Sequence, residues 1–229
     1  MSDPAMASTT VDDGEETTTV AESDDGVSAS ASLSTASTMT DRTPFEQARH
    51  PLAYKWKLFY YKSVNKRWED GMHLLAEFET LEEFFAVFNN IVKPSYLQDK
   101  RDYYMFKSEI KPMWEDPRNK FGGRWSTTMR GNEEFDDRWT NLVYAAVGNQ
   151  FGEYGDSICG IVASVKRQGF KLNLWTSDCS EEKINKSIGQ RMKDFCKIHE
   201  QLRYEDHETA QAKPKQSVNK GAKSFLYDI

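Results

Sequence analysis

The amino-acid sequence predicts an α+β fold in which three helices lie on one face of an antiparallel β-sheet. Two observations lead to this prediction. Segments rich in β-branched and aromatic residues are separated by three segments whose apolar residues recur at helical spacing. Two of the strand-like segments, Ile158–Val165 and Phe170–Thr176, are joined by the short sequence KRQG, which is typical of a hairpin. Strands of this kind with helices spaced between them favour the α+β class.

The charge along the 229-residue chain is uneven and suggests two regions. Residues 1–43 contain nine acidic side chains and one basic side chain, a charge of −8, so the total of −6 leaves +2 for the rest. This segment has too few large apolar residues to offset its ordering entropy. We therefore expect a disordered tail, either simply solvated or carrying phosphorylation or partner-binding sites. Residues 44–229 are predicted to form one folded domain, whose local basic patches suit an anionic partner.

The first half of this domain is predicted to contain four strands and one helix. Aromatic and β-branched residues assign the strands to Tyr54–Lys62, Met72–Phe78, Tyr103–Phe106 and Trp125–Met129. Thr80 and Glu83 form a capping box, which predicts a helix over Leu81–Val92. Val64–Asp70 is polar apart from Trp68 and is predicted to be a loop.

Two further helices are predicted in the second half. Apolar residues at helical spacing indicate a helix over Glu134–Val147 that is ended by Gly148. Ser180 is predicted to cap the third helix. That helix has an apolar face formed by Ile184, Ile188, Met192 and Phe195. After it, Lys213–Lys223 is predicted to be a loop and Phe225–Tyr227 a short final strand.

The sequence contains no arrangement of residues that indicates catalysis. The four histidines are scattered, and Gly155–Gly160 lacks the spacing of a nucleophile elbow. Gly122–Gly123 lacks the Lys-Ser/Thr partner of a phosphate-binding loop. We therefore predict that the protein is not an enzyme and uses no metal or cofactor.

The cysteines and the hydropathy of the chain predict a soluble intracellular protein. Cys159, Cys179 and Cys196 are widely spaced, which suits reduced thiols in the cytoplasm or the nucleus. The first residues lack the basic and apolar regions of a signal peptide. Apolar runs such as Leu142–Val147 are too short to cross a bilayer, so we expect no membrane contact.

The placement of the tryptophans suggests a binding site. Trp56, Trp125 and Trp139 fall in periodic segments and are predicted to pack in the core. Trp68 and Trp114 fall in polar segments, the second in the turn-prone sequence KPMWEDPRNKFGGRW. Two loop tryptophans could stack on both faces of a flat ligand, and a positively charged ring would gain a cation–π interaction.

Charged residues near these tryptophans suit the edge and the anionic groups of such a ligand. Glu115 could accept hydrogen bonds from two donors on the ligand edge. A rim of cations could bind an anion, formed by Arg124, Lys166, Arg167 and Lys171. The alternative interpretation is that the aromatic rings are merely exposed and the basic hairpin is merely solvated.

Several short motifs occur in an order that a known family shares. They are HPL at His50–Leu52, MWED at Met113–Asp116, GGRW at Gly122–Trp125, CG at Cys159–Gly160 and the Lys171…Trp175 spacing. From about His50 onward the chain resembles the eukaryotic translation initiation factor 4E family, which binds the 7-methylguanosine cap of mRNA. The resemblance implies a curved antiparallel sheet of eight strands with three helices on its convex face.

The resemblance also implies roles for individual residues. Trp68 and Trp114 would sandwich the methylated guanine, Glu115 would accept its N1 and N2 protons, and the backbone N–H of Trp114 would meet O6. Trp175 would contact the methyl group, and His207 would lie near the next nucleotide. The triphosphate would be bound by Arg124, Lys166 and Lys171. The family usually has arginine at the position of Lys166, so we expect weaker phosphate contact there.

A second implied site lies on the helical face, where the family binds partner helices that carry a Tyr-x4-Leu-hydrophobic motif. The residues at its positions here are His50, Pro51, Leu81, Phe85, Thr140, Asn141 and Tyr144. Phe85 replaces the usual tryptophan and cannot donate an indole hydrogen bond, while Thr140 and Asn141 remove apolar and acidic contacts. We therefore predict altered affinity for the scaffold factor 4G and for 4E-binding repressor proteins; the alternative is neutral drift without loss of binding.

These observations predict a monomeric protein that binds capped mRNA and recruits it to translation initiation through a scaffold partner. An alternative is a cap-binding repressor or competitor isoform with altered partner binding. A second alternative, from another class, is an interaction module with a degenerate pocket. Ser217 is a candidate phosphorylation site near the basic C-terminal loop.

Overall fold

The computed structural model describes residues 49–64, 67–212 and 225–229. In this part of the chain a single antiparallel sheet has eight strands in the order β2-β1-β3-β5-β6-β4-β7-β8. The strands are β1 Pro51–Lys62, β2 Met72–Thr80, β3 Arg101–Lys107, β4 Gly123–Met129, β5 Ile158–Lys166, β6 Gly169–Thr176, β7 Arg203–Asp206 and β8 Tyr227–Asp228. The predictions for residues 1–43, the loop Lys213–Lys223 and Ser217 lie outside the described residues.

Three helices of eight or more residues pack on one face of this sheet, which confirms the predicted α+β class. The helices are α1 Leu81–Phe88, α2 Asn132–Val147 and α3 Glu182–Cys196, followed by the short α4 His207–Ala212. Their buried side chains join one hydrophobic core with the inward side chains of the strands. Trp56, Trp125 and Trp139 lie in this core with at most 1% of their surface exposed, as predicted.

Alternation along the central strands separates the core face of the sheet from its other face. Successive side chains of a strand point to opposite sides. In β5 the residues Ile161 and Ala163 belong to the core, whereas Val162 and Ser164 line a cavity on the other face. The register across the hairpin aligns Ser164 with Lys171, so the cavity-facing residues of β6 continue the same surface. The sheet therefore presents one apolar face to the helices and one mixed, polar face to solvent.

Three predicted helix boundaries differ from the structure, and one of them is the start of α2, at Asn132 instead of Glu134. The Thr80 cap is confirmed because its hydroxyl accepts a hydrogen bond from the Glu83 N–H at 3.3 Å, but α1 ends at Phe88 instead of Val92. The Asn90 side-chain amide donates to the Ala86 carbonyl at 2.8 Å, which satisfies one of the carbonyls left free at this helix end. The prediction that Ser180 caps α3 is wrong. Its hydroxyl donates to Asp178 at 2.7 Å, and the helix begins two residues later.

The C-terminal region contains two elements that the sequence did not predict. Strand β7 reads RYED, and only Tyr204 in it is buried, so it shows no apolar alternation. It forms because its backbone pairs with the edge of β4 between Arg203 and Asp206. Helix α4 begins directly after it, at His207. The final strand is Tyr227–Asp228 instead of Phe225–Tyr227.

Candidate functional site

A cavity of about 510 Å³ opens on the face of the sheet that the helices leave uncovered. Its walls come from the 3₁₀ turn after β1, the loop between β3 and β4, and the strands β3 to β6. Seven of the eight predicted ligand-binding residues line it: Trp68, Trp114, Glu115, Arg124, Lys166, Lys171 and Trp175. The fold therefore brings together side chains that are more than 100 positions apart in the sequence.

Asp116 holds the loop that presents Trp114 and Glu115. Its carboxylate is buried and accepts hydrogen bonds from the backbone N–H groups of Lys111 and Arg118, both at 2.9 Å. The fully buried Asn119 donates to the carbonyls of Lys111 and Met113 at 2.9 and 2.7 Å. These bonds close the loop on itself, which positions the tryptophan and the carboxylate without a regular element.

The glycine pair after this loop is needed for space and not for unusual backbone angles. Glycine permits backbone angles that other residues avoid, but neither Gly122 nor Gly123 has a positive φ. A Cβ on Gly122 would lie 2.0 Å from the carbonyl oxygen of Thr176, and one on Gly123 would lie 2.6 Å from that of Glu205. Only glycine allows the chain to approach its neighbouring strands this closely.

Different contacts hold the rings of the two loop tryptophans, Trp68 and Trp114. Trp68 begins a 3₁₀ turn and stacks on Tyr61, with ring centroids 5.6 Å apart and an interplanar angle of 25°. Tyr104 contacts it edge-on at 5.9 Å. Trp114 is 36% exposed, and its indole N–H donates to Oε1 of Glu115 at 2.9 Å. That bond holds the carboxylate beside the ring and leaves Oε2 available to a ligand.

Two cations of the cavity, Lys166 and Arg124, are already paired with carboxylates. The half-exposed Lys166 donates to both oxygens of the buried Asp102, at 3.1 and 3.2 Å. Burial raises the pKa of Asp102 above its ordinary value, and the Lys166 charge opposes that rise. Arg124 forms an ion pair with Glu205 at 3.2 Å. An anionic ligand would therefore compete with these carboxylates for the same cations.

His207 is the predicted ligand-binding residue that lies outside the cavity. Its side chain is 0% exposed and packs against the ring of Trp175, with centroids 4.1 Å apart. Burial, together with the nearby charge of Arg124, lowers the pKa of His207 to about 3. The structure thus places His207 behind Trp175 and outside the cavity, and its proximity to a second nucleotide stays a prediction.

Several residues that line the cavity were missed by sequence reasoning. The acidic and polar ones are Glu69, Asp102, Tyr104, Ser164 and Asn173. Asp102 and Tyr104 belong to β3. The sequence predicted this strand from Tyr103 onward but did not indicate which of its faces meets the core. Side chains at every second position of a strand share one face of the sheet. Once Lys166 and Lys171 are placed on the polar face, this alternation in β3, β5 and β6 identifies the missed residues of the strands.

The predicted partner surface lies on the helical side of the protein. His50 and Leu81 are joined by a 2.9 Å hydrogen bond from the Leu81 N–H to the His50 carbonyl, next to the exposed Pro51. Phe85 of α1 and Tyr144 of α2 are 37% and 43% exposed, with ring centroids 6.0 Å apart. Thr140 and Asn141 lie one helical turn before Tyr144 and are partly buried. The structure thus brings the predicted apolar residues of both helices together.

The fold and the cavity agree with one class of protein, the translation initiation factors. The family model described as "Eukaryotic initiation factor 4E" matches residues 51–222, and the chain belongs to this family. Its match covers three quarters of the sequence, including the whole described sheet except β8.

Named relatives and solved structures agree with this membership. The chain is 42% identical over 179 residues to eukaryotic translation initiation factor 4E-3 of Caenorhabditis elegans, covering 74% of this chain and 71% of that protein. It is 35% identical to human eukaryotic translation initiation factor 4E, covering 66% of this chain and 71% of the human protein.

Two solved complexes resemble the described structure. One is the complex of C. elegans eIF4E-3 with the 4E-binding protein Mextli and a cap analogue, at 44% identity and a TM-score of 0.70, covering 74% and 99% of the two chains. The other is Ascaris suum eIF4E-3 with the m2,2,7G cap, at 37% identity and a TM-score of 0.71, covering 80% and 99%.

Among the described residues, no helix combines the length and the apolar character needed to cross a membrane.

Proposed function

We propose that this protein binds the 7-methylguanosine cap of mRNA and recruits capped transcripts to translation initiation through a scaffold partner. The observation that supports this proposal best is the cavity in which two loop tryptophans, one adjacent carboxylate and three cations converge. Solved structures of similar proteins hold a cap analogue in one case and the m2,2,7G cap in the other, which adds support. The proposed activity is binding and not catalysis, exerted by a monomer in the cytoplasm.

The base would be recognised by stacking and by charge. Methylation at N7 gives guanine a positive charge, which attracts it to the faces of Trp68 and Trp114 through the cation–π interaction. Tyr61 covers one side of Trp68, so its other side is available to the base. Glu115 is held beside Trp114 and would accept the protons of the guanine edge through its remaining lone pairs.

The negative charges of the triphosphate would be met by the cations at the other end of the cavity. Lys166 and Lys171 lie near the β5–β6 hairpin, and Lys171 is four residues before Trp175 along β6. On binding, Lys166 would exchange the carboxylate of Asp102, at 3.1 Å, for phosphate oxygens. That exchange reduces the net gain from Lys166, because one ionic contact replaces another.

A titration of intrinsic tryptophan fluorescence with 7-methyl-GTP and with GTP tests the proposal. We expect 7-methyl-GTP to quench the fluorescence and to bind at least about tenfold more tightly than GTP, since the cation–π difference is about 1.4 kcal/mol or more. Equal affinities for the two nucleotides, or no quenching by either, would exclude specific cap recognition and favour an interaction module.

Lys166 gives a prediction for the phosphate end of the pocket. Replacing Lys166 with alanine is expected to weaken 7-methyl-GTP binding by about tenfold, because the change removes a cation and leaves Asp102 unpaired beside the phosphates. Titration of 7-methylguanosine, which has no phosphate, provides the internal control and should be nearly unaffected.

Two companion variants separate the causes of this effect. Lys166→Arg keeps the charge and adds a planar fork, so it should bind 7-methyl-GTP at least as well as the original protein. The double variant Lys166→Ala/Asp102→Asn should recover part of the lost affinity, because the repelling carboxylate is gone. Unchanged affinity in Lys166→Ala would remove Lys166 from the phosphate site.

We further propose that the surface around Phe85 and Tyr144 binds partner helices with a Tyr-x4-Leu-hydrophobic motif, as scaffold and repressor proteins carry. Phe85→Trp is expected to strengthen binding of such a peptide about threefold, because the indole adds a donor and apolar area. Phe85→Ala should weaken it by about tenfold, because it removes an exposed ring from the centre of the patch.

Isothermal titration with one synthetic peptide checks both changes. Phe121→Ala is the matched control, since Phe121 is 68% exposed but belongs to the loop before β4. If Phe85→Ala and Phe121→Ala bind the peptide equally well, the partner surface does not include Phe85.

A further inference from the structure

A second groove of about 350 Å³ adjoins the cavity and extends beyond the residues proposed to contact the cap. It lies between the end of β4 and the β5–β6 hairpin. Its lining residues are Thr128, Met129, Arg130, Lys166, Gln168, Gly169, Phe170 and Lys171. Lys166 and Lys171 line both the groove and the main cavity, so the two spaces share a wall of cations.

The groove continues the main cavity in one direction along β6. Trp175, Asn173 and Lys171 alternate on the cavity face of this strand, and Lys171 pairs with Thr128 of β4. Moving from Trp175 towards Lys171 leads from the proposed base site to the proposed phosphate site. The groove begins where that path leaves the main cavity.

Charge distinguishes this groove from an ordinary surface depression. Three of its lining side chains are cations, and none is a carboxylate. Arg130 is exposed at the end of β4, and its aliphatic stem lies against the hairpin, where a Cβ on Gly169 would be 3.6 Å from its Cγ. Gly169 has a φ of +135°, and a Cβ there would lie 2.6 Å from the Met129 carbonyl oxygen, so glycine is required where the hairpin meets the end of β4.

We infer that this groove binds the phosphodiester backbone of the RNA immediately downstream of the cap. The inference rests on the proposed function, because the cap would place the first phosphates against Lys166 and Lys171. The chain leaving that site then meets Arg130 and the backbone of the hairpin. Contacts of this kind are electrostatic and independent of base sequence, and they lose affinity with added salt.

Arg130 is the residue to test, since it lines the groove but not the main cavity. The probes are 7-methyl-GTP and a pentaribonucleotide carrying a 7-methylguanosine triphosphate cap. Both are titrated between about 50 and 200 mM salt, because contacts with phosphate groups lose affinity over this range. Arg130→Gln should bind 7-methyl-GTP as the original protein does. It should bind the capped oligonucleotide about threefold to fivefold more weakly at low salt, with a salt slope lower by about 0.7.

A second variant and a control protect the test against indirect effects. Gln168→Glu places a negative charge in the groove and should weaken binding of the capped oligonucleotide more than that of 7-methyl-GTP. Lys183→Gln removes an exposed cation from α3, on the helical side, and should change neither affinity.

The outcomes distinguish failure of this inference from failure of the proposed function. If 7-methyl-GTP does not bind the original protein, cap recognition is wrong and the inference falls with it. If 7-methyl-GTP binds but Arg130→Gln leaves the affinity and the salt slope of the capped oligonucleotide unchanged, only the groove assignment is overturned. Equal losses for both probes in Arg130→Gln would also overturn it.

Discussion

Replacing Trp114 with alanine is expected to weaken 7-methyl-GTP binding by about 100-fold while the fold remains intact. Stacking contributes roughly 1–3 kcal/mol per base, and about 2.7 kcal/mol corresponds to 100-fold in affinity. The ring is 36% exposed and contributes little to the core, so its removal should hardly change the free energy of unfolding. The change also removes the indole N–H that holds Oε1 of Glu115 at 2.9 Å, which adds to the loss.

The control for this variant is Phe121→Ala, which removes another exposed ring from the same loop. We expect its affinity for 7-methyl-GTP to stay within about twofold of the original, since Phe121 does not line the cavity. Fluorescence titration and urea unfolding of both variants measure the two effects separately. Tight binding by Trp114→Ala would show that the base lies elsewhere.

Replacing Gly122 with alanine is expected to have the largest effect on stability. The added Cβ would lie 2.0 Å from the backbone oxygen of Thr176 and 3.0 Å from that of Asn119. Neither oxygen can move away as a flexible side chain would, so the strand and the loop must separate. Overpacking of this kind costs about 3 kcal/mol, and we expect the midpoint of urea unfolding to fall accordingly.

The same substitution should also disturb the binding site. Gly122 connects the loop of Trp114 and Glu115 with strand β4, which carries Arg124. Affinity for 7-methyl-GTP should therefore fall by about tenfold or more even where the protein remains folded.

Gly131→Ser is the matched glycine control. A Cβ there meets its nearest neighbour, Glu134 Cβ, at an ordinary 3.4 Å, and serine is a favourable N-cap for α2. We expect the free energy of unfolding to change by less than about 0.5 kcal/mol. If Gly122→Ala proved as stable as Gly131→Ser, the close approach to Thr176 would not limit the fold.

Much of the sheet and of the cavity could be predicted because the signals are local. Alternation identified β5 and β6, and the capping box of Thr80 and Glu83 identified the start of α1. Polar surroundings separated Trp68 and Trp114 from the three core tryptophans, and the structure places both at the cavity. The resemblance of the motifs added the expectation that Trp68 and Trp114 sandwich one methylated base, which periodicity alone does not indicate.

Other features escaped prediction because they depend on distant neighbours. Strand β7 has a polar sequence and exists only because β4 offers it an edge. The pairing of Lys166 with Asp102 depends on β3 and β5 being adjacent, although the two residues are 64 positions apart. His207 looked available in the sequence, yet it is buried behind Trp175.

The sequence by itself determined the fold class, most element positions and the chemical types available for binding, because propensity and periodicity act over a few residues. Only the tertiary structure decided which side chains share the cavity, which cations are already paired and that Gly122–Gly123 serve close packing. The physical reason is that burial and ion pairing depend on strand order. In this sheet, neighbours such as β1 and β3, or β4 and β7, are distant in sequence, so no local pattern specifies their contacts.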